Sequence, residues 1–319
     1  MESWFERRTF HHARFEDLDE LRRAKETQGL TVSVCIPTLN EAATVGPIID
    51  AVRRALVEDV PLVDELAIVD SASDDDTAGV AEAAGAVVFQ DRDLVPDLPH
   101  LGGKGDAMWK SLFALRGDLV LWIDADVEDF HPRFVYGLLG PLLLDPGVEY
   151  VKGFYERPLR IGGETDPFGG GRVTELMARP LINAFWPDLA GIIQPLSGEY
   201  GGRRQLLERI PFFTGYAVEL AMLIDILDAS GLDAIAQVDL HRRTHRNRNI
   251  GDLSRMAYAI LQGAAARLRG SGALAEDAFV GGDLSLFAKE DGSYRIRPMA
   301  VPIHERPPAA SVSGYQARG

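Results

Sequence analysis

Cysteine is almost absent from this 319-residue chain. Cys35 stands alone, so no intramolecular disulfide can staple the fold. Its place inside the apolar run 32–37 reads as a small buried hydrophobe with a reduced thiol. Long apolar stretches are also missing. None approaches the ~18 uninterrupted residues of a membrane span, and the longest candidate, 138–144, is broken by Gly140 and Pro141. The amino terminus, Met1-Glu2-Ser3-Trp4-Phe5-Glu6-Arg7-Arg8, lacks the basic-then-apolar pattern of a secretory signal. A cytoplasmic setting away from membranes is the expectation. Positive charge is in deficit, with 33 Lys and Arg against 48 Asp and Glu and a formal net charge of −15. That balance excludes a sequence-independent grip on nucleic-acid phosphates and makes any local cluster of arginines informative. No internal repeat is visible.

What remains is ordinary globular composition, 46% hydrophobic, at a length suited to one large α/β unit with appendages. Residues 1–30 are polar, with a helical pattern through Phe15, Leu18, Leu21 and Arg22. Strands are then predicted at 32–37, 65–70, 85–89 and 119–123, with helix-period segments between them. This alternation implies a mostly parallel sheet covered by helices on both faces. The second half, from about Val148, is less regular. It offers strands at 148–154 and 234–240, a glycine-rich loop at 162–171 and helices near 173–184 and 218–228. The expected division is a helical extension (1–30), a nucleotide-binding half (31–150), a second half of the same domain (151–270) and a loose, Gly- and Pro-rich tail (271–319).

The chemistry collects where predicted strands end. Leu119-Val120-Leu121-Trp122-Ile123 reads as a strand buried on both faces, and Asp124-Ala125-Asp126 follows it directly. Ligands of open α/β sheets bind beyond the carboxyl ends of the strands. Two carboxylates there can clamp a divalent cation and a diphosphate, or merely serve as turn residues. Pro37-Thr38-Leu39-Asn40-Glu41 follows the first strand of the sheet, and Asp70-Ser71-Ala72-Ser73 the second. Lys104 sits in Gly102-Gly103-Lys104-Gly105 before a helix, as a phosphate contact or a solvated loop cation. The glycine loop is not a P-loop, since the earlier Gly and the following Ser or Thr are absent. No G-x-G-x-x-G follows the first strand, so the dinucleotide fingerprint is missing too. Trp109, Trp122 and Trp186 read as packing residues.

Taken together these segments resemble the ordered motifs of nucleotide-sugar glycosyltransferases with the A-type fold. Gly169-Gly170-Gly171-Arg172-Val173-Thr174-Glu175-Leu176, Gln194-Pro195-Leu196-Ser197-Gly198-Glu199-Tyr200 and His245-Arg246-Asn247-Arg248 narrow the match. They are similar to the retaining actinobacterial glucosyl-3-phosphoglycerate synthases and their relatives, the mannosyl-3-phosphoglycerate synthases, over roughly residues 30–265. The resemblance implies an A-type α/β fold and hexosyl transfer from UDP-glucose, or alternatively GDP-mannose, to D-3-phosphoglycerate with retention. It implies Mg²⁺ or Mn²⁺ on Asp126 and His245, and a donor site of Pro37, Thr38, Leu39, Glu41, Ser71, Lys104, Asp124 and Ala125. Ala125 stands where the glucosyl enzymes commonly carry serine, which removes one hydroxyl contact to the nucleotide. The acceptor pocket would comprise Gly171, Arg172, Thr174 and Asn247. Glu219 would contact donor sugar hydroxyls, and the main-chain carbonyl near Leu196 would steady oxocarbenium-like charge during front-face substitution. Family members are commonly dimers, so a homodimer is expected.

The physical chemistry agrees with several of these roles. A glycine loop entering a helix offers free amides to a phosphate, and an arginine adds a bidentate charge. Arg242, Arg243, Arg246 and Arg248 stand out against the acidic background, as a solvated loop or as attraction for an acceptor bearing phosphate and carboxylate; for Arg243 the second reading is favoured, which adds it to the acceptor pocket. Rival readings are a nucleotidyltransferase, whose usual Gly, Arg and Lys signature after the first strand is absent, a catalytically dead nucleotide-sugar sensor, and an inverting transferase acting on lipid or polysaccharide.

Overall fold

The alternation of apolar residues along the central strands sorts them onto two faces, and each face collects its own layer of helices. A computed structural model describes residues 2–157, 159–161, 164–166, 171–243, 249–278, 282–290 and 293–316. Eight strands form the main sheet: β1 (Thr9–His11), β2 (Val32–Thr38), β3 (Glu65–Asp70), β4 (Val87–Gln90), β5 (Leu119–Trp122), β6 (Tyr150–Glu156), β9 (Tyr200–Arg203) and β11 (Ile235–Arg242). Their order is β1-β11-β6-β9-β5-β2-β3-β4. All neighbours are parallel except β9, which runs antiparallel to both β5 and β6. The remaining strands make three two-stranded pairs: β7 (Leu159–Ile161) with β8 (Glu164–Asp166), β10 (Phe212–Phe213) with β14 (Glu305–Arg306), and β12 (Leu284–Glu290) with β13 (Ser293–Met299).

On one face Val34, Ile36, Leu119, Leu121, Val151 and Val238 pack under α3 (Val45–Arg53) and α6 (Arg133–Leu144), with Leu21 of α2 (Leu18–Gln28) and Ala81 of α4 (Thr77–Ala84). On the other, Cys35, Val69, Val120, Trp122, Tyr150 and Tyr200 pack under α5 (Lys104–Ala114), α9 (Val218–Ser230) and α10 (Ile250–Gly270). The period-two alternation of a strand accounts for this sorting. Cys35 lies in this second layer, and burial pushes its thiol up to about 12, in keeping with an inert packing residue. Trp109 and Trp122 are fully buried in the same layer.

Both ends of the chain hold more structure than the sequence pattern suggests. Residues 1–30 supply α1 (Glu2–Arg8), α2 and the edge strand β1, not a helical extension alone. Residues 271–319, expected to be loose, contain the β12–β13 hairpin and β14, whose pairing with β10 ties the carboxyl-terminal segment to the body. Arg306 anchors it: its Nε donates to Asp106 at 2.6 Å, both side chains being buried. Two shorter helices, α7 (Arg179–Phe185) and α8 (Arg204–Leu207), complete the second half. Among the described residues no helix is long and apolar enough to cross a membrane.

Candidate active site

Parallel strands β2, β3 and β5 end side by side, and so do the polar residues that follow them. Two loops are stitched together first. Thr38 Oγ1 donates to Asp70 Oδ1 at 3.2 Å, and Asp70 accepts from the Ser73 amide and hydroxyl at 3.1 and 2.5 Å. The Asn40 amide donates to Ser73 Oγ at 2.8 Å, and Asn40 Oδ1 accepts from the Asp74 amide at 2.7 Å. Asn40 and Ala72 both take positive φ, 59° and 62°, so each chain turns sharply just past its strand. Pro37, Thr38, Leu39, Glu41 and Ser71 therefore lie along one rim, with Leu39 left well exposed.

Beside that rim, α5 and α9 each bring the charged residue of a first turn towards the end of β5. Lys104, the first residue of α5, places Nζ 2.6 Å from Asp124 Oδ1 and 3.2 Å from Glu219 Oε1. Glu219 lies in the first turn of α9. Desolvation alone would push the Lys104 ammonium down, but Asp124 and Glu219 outweigh it and hold it above the ordinary lysine range. The first turn of α5 is pressed against β10, which only glycine allows: a Cβ on Gly105 would lie 1.8 Å from the Phe213 carbonyl oxygen.

Arg243, just past β11, closes the other side. Its guanidinium is 2% exposed and reaches Asp124 Oδ2 at 3.0 Å, Asp126 Oδ1 at 2.5 Å, Glu199 Oε1 at 2.9 Å and the Tyr155 hydroxyl at 2.7 Å. Burial would raise the Asp124 carboxyl, yet Lys104 and Arg243 together hold it well below the usual carboxylate range. Glu199 is pushed up by burial despite Arg243. The two aspartates now differ in kind. Both oxygens of Asp124 are engaged, one by Lys104 and one by Arg243, whereas among the described residues only one oxygen of Asp126 is, and that side chain is 31% exposed. Asp126 is thus the carboxylate able to offer an oxygen to a divalent cation, and a lone carboxylate oxygen open at the sheet edge suits a hard ion completed by phosphate oxygens.

The other sequence-predicted residues fall into three groups. Leu196 lies in the turn before Gly198, and a Cβ on Gly198 would lie 1.8 Å from Asp124 Oδ2, so this turn runs directly against the aspartate. Gly171, Arg172 and Thr174 stand where a short helical segment, Thr174–Ala178, opens and continues into α7. The Gly171 carbonyl accepts from the Glu175 amide at 2.9 Å. His245 and Asn247 lie outside the described residues. The sequence reading missed Glu199, Tyr155, Tyr200 and Lys152, which line the same cluster. Glu199 and Tyr200 stand in the 194–200 motif without a role assigned to them, and Lys152 carried the signal of a lysine in the middle of an apolar strand.

A second group of ligand-type side chains, Asp91, His100 and Asp106, gathers its donor atoms within 4.8 Å of one another. A cation is already there. Lys110 Nζ lies 2.8 Å from the Asp91 carbonyl oxygen, 3.3 Å from His100 Nδ1 and 3.2 Å from Asp106 Oδ2.

Residues 33–156 match the model of "Glycosyl transferase family 2". A glucosyl-3-phosphoglycerate synthase from Petrotoga mobilis is 44% identical over 98% of this chain and 96% of its own length. The chain belongs to the glucosyl- and mannosyl-3-phosphoglycerate synthase family. Among solved structures, mannosyl-3-phosphoglycerate synthase from Rubrobacter xylanophilus superimposes with a TM-score of 0.88 at 45% identity, covering 97% of both chains. Glucosyl-3-phosphoglycerate synthase from Mycobacterium tuberculosis, in complex with Mn²⁺, UDP-glucose and phosphoglyceric acid, gives 0.78 at 42% identity, over 92% of this chain and 94% of that one. The mostly parallel sheet with helices on both faces is the A-type fold that the sequence motifs implied, and the chain is a nucleotide-sugar hexosyltransferase of that family.

Proposed function

We propose that this enzyme transfers glucose from UDP-glucose to the hydroxyl of D-3-phosphoglycerate, with retention at the anomeric carbon. The observation that carries the reading is the convergence of Lys104, Asp124, Asp126, Glu219 and Arg243 at the carboxyl end of β5. The activities of the glucosyl and mannosyl relatives then suggest the substrates. Lys104 would leave its carboxylate partners to meet the donor diphosphate. Glu219 would accept hydrogen bonds from sugar hydroxyls, and the turn carrying Leu196 would lie beside the transferred ring. Asp126 and His245 would hold Mg²⁺ or Mn²⁺, which when bound stabilises charge on the departing diphosphate. Gly171, Arg172, Thr174 and Asn247 would bind the acceptor, with Arg243 contributing charge from beneath. Positioning and electrostatics would then provide most of the acceleration.

GDP-mannose is the second reading, favoured by the mannosyl enzyme of Rubrobacter as a structural neighbour. Incubation with Mg²⁺, 3-phosphoglycerate and either donor, following nucleoside diphosphate release, decides between them. Acceptor-dependent release from UDP-glucose is expected. Release only from GDP-mannose would transfer the assignment to the mannosyl reaction, and no acceptor-dependent release from either would remove the acceptor assignment.

A homodimer belongs to the same proposal. The β12–β13 hairpin exposes the cross-strand pair Phe287 and Ile296 to 72% and 64%, and an isolated two-stranded hairpin is marginal in water. Cover by a second copy would explain it. Sedimentation should give about twice 34.9 kDa, and a monomer across micromolar concentrations would refute it.

A further inference from the structure

Lys152 is the most unusual charged residue in the molecule. It sits in the middle of β6, is 1% exposed, and its Nζ has no hydrogen-bond partner among the described residues. Its Cα pairs with that of Tyr200 on β9, and its ammonium lies 3.9 Å from the Tyr200 ring centroid. Lys104 lies 5.5 Å from the centroid of that same ring. Two residues before Lys152 on the strand, the Tyr150 hydroxyl is likewise buried without a partner. A buried ammonium supported only by an aromatic ring is unfavourable, so something else must justify it.

The arrangement around Glu219 supplies the reason. The carboxylate of Glu219 is held by Lys104, at 3.2 Å. On the reading above, Lys104 must turn to the donor diphosphate, which takes away that partner just when Glu219 has to hold a sugar hydroxyl. We infer that Lys152 is a positioning residue, the buried cation that keeps the Glu219 carboxylate in place once Lys104 engages the donor. This inference rests on the assignment of Lys104 to the diphosphate and of Glu219 to the sugar. Charge coupling runs the right way. Burial pushes the Lys152 ammonium down to about 7, Glu219 is the strongest group pulling it back up, and Lys104 is the cation that pushes it further down. Movement of Lys104 towards phosphate thus strengthens the hold of Lys152 on its proton. Tyr150, whose hydroxyl also feels Glu219, provides a second donor beside the path.

The test is a double-mutant cycle on the full-length enzyme with its donor and acceptor. Lys152→Met removes the charge at similar volume, and Lys152→Gln keeps a donor without the charge. Both are expected to lower kcat about tenfold or more while leaving the donor KM and the affinity for UDP within about threefold, because the effect acts on orientation of the reacting sugar. Combined with Glu219→Gln, either should lose little beyond the Glu219→Gln enzyme alone. Parental kcat in both Lys152 variants, or a double variant that loses the full product of the single effects, would overturn the inference while leaving an impaired Glu219→Gln enzyme as support for the sugar contact. An unimpaired Glu219→Gln enzyme would instead remove that contact and this inference with it.

Discussion

Replacing Asp126 with Asn is expected to lower transfer by about a thousandfold or more, equivalent to roughly 4 kcal/mol of transition-state stabilisation, without unfolding the protein. Asn has the same shape as Asp, and its side-chain oxygen can still accept from the Arg243 guanidinium that now reaches Asp126 Oδ1. What it lacks is the second anionic oxygen, the one that among the described residues has no partner. The substitution therefore isolates the cation-binding role from the packing role. Mn²⁺ binding, followed by electron paramagnetic resonance, should weaken in parallel with turnover, and the melting temperature should stay within a few degrees of the parent. Asp124→Asn is the informative control, because both oxygens of Asp124 are already held by Lys104 and Arg243. Its loss should disturb those two side chains more than Mn²⁺ affinity. Near-parental turnover in Asp126→Asn would place the metal elsewhere and leave the aspartates as a purely internal ion-pair network.

The difference between the two aspartates shows where sequence reasoning is strong and where it stops. A strand-like run ending in Asp-x-Asp locates both carboxylates at a sheet edge, and that location is correct in the structure. Which of the two keeps an oxygen without a partner among the described residues depends on Lys104 and Arg243, side chains 20 residues before and 119 after Asp124. No periodicity carries that information. The same limit explains β9. Its sequence, Tyr200-Gly201-Gly202-Arg203, has little strand character. It is nevertheless a central strand because only glycine fits against β5: a Cβ on Gly201 would lie 2.4 Å from both the Leu121 side chain and the Val120 carbonyl oxygen. β1 is three residues long and pairs with β11, more than two hundred residues away, so its pattern is too short to register. Of the four arginines between 242 and 248, the sequence reading favoured Arg243 as part of the acceptor pocket but could not say what would hold it. Arg243 is drawn beneath the site by carboxylates on two other segments, and that placement comes from tertiary convergence, which no local pattern encodes.

Arg243 is for this reason the residue whose loss should be felt most widely. Around it lie Asp124, Asp126 and Glu199, and Glu219 is tied to the same network through Lys104. Arg243→Met would leave these carboxylates facing Lys104 and the unpartnered Lys152. Breaking a buried pair by removing one partner typically costs about 3–5 kcal/mol, so a melting temperature lower by several degrees is expected, together with loss of turnover. The pH dependence distinguishes this cause from a simple cavity. Burial already pushes the Glu199 carboxyl up, with Arg243 the main group opposing it; without the guanidinium it rises further. An acid whose folded-state value lies above its unfolded one is stabilised by protonation, so stability is lost as pH rises from the unfolded value to the folded one. The gap in melting temperature between parent and Arg243→Met should therefore be small near pH 5 and widen towards pH 8. Arg243→Lys should narrow it only in part, because a single ammonium cannot reach three carboxylates and the Tyr155 hydroxyl as the planar guanidinium does. A gap that does not change with pH would mean that Arg243 matters here as volume, and that the carboxylates beneath the site keep their charges balanced by other means.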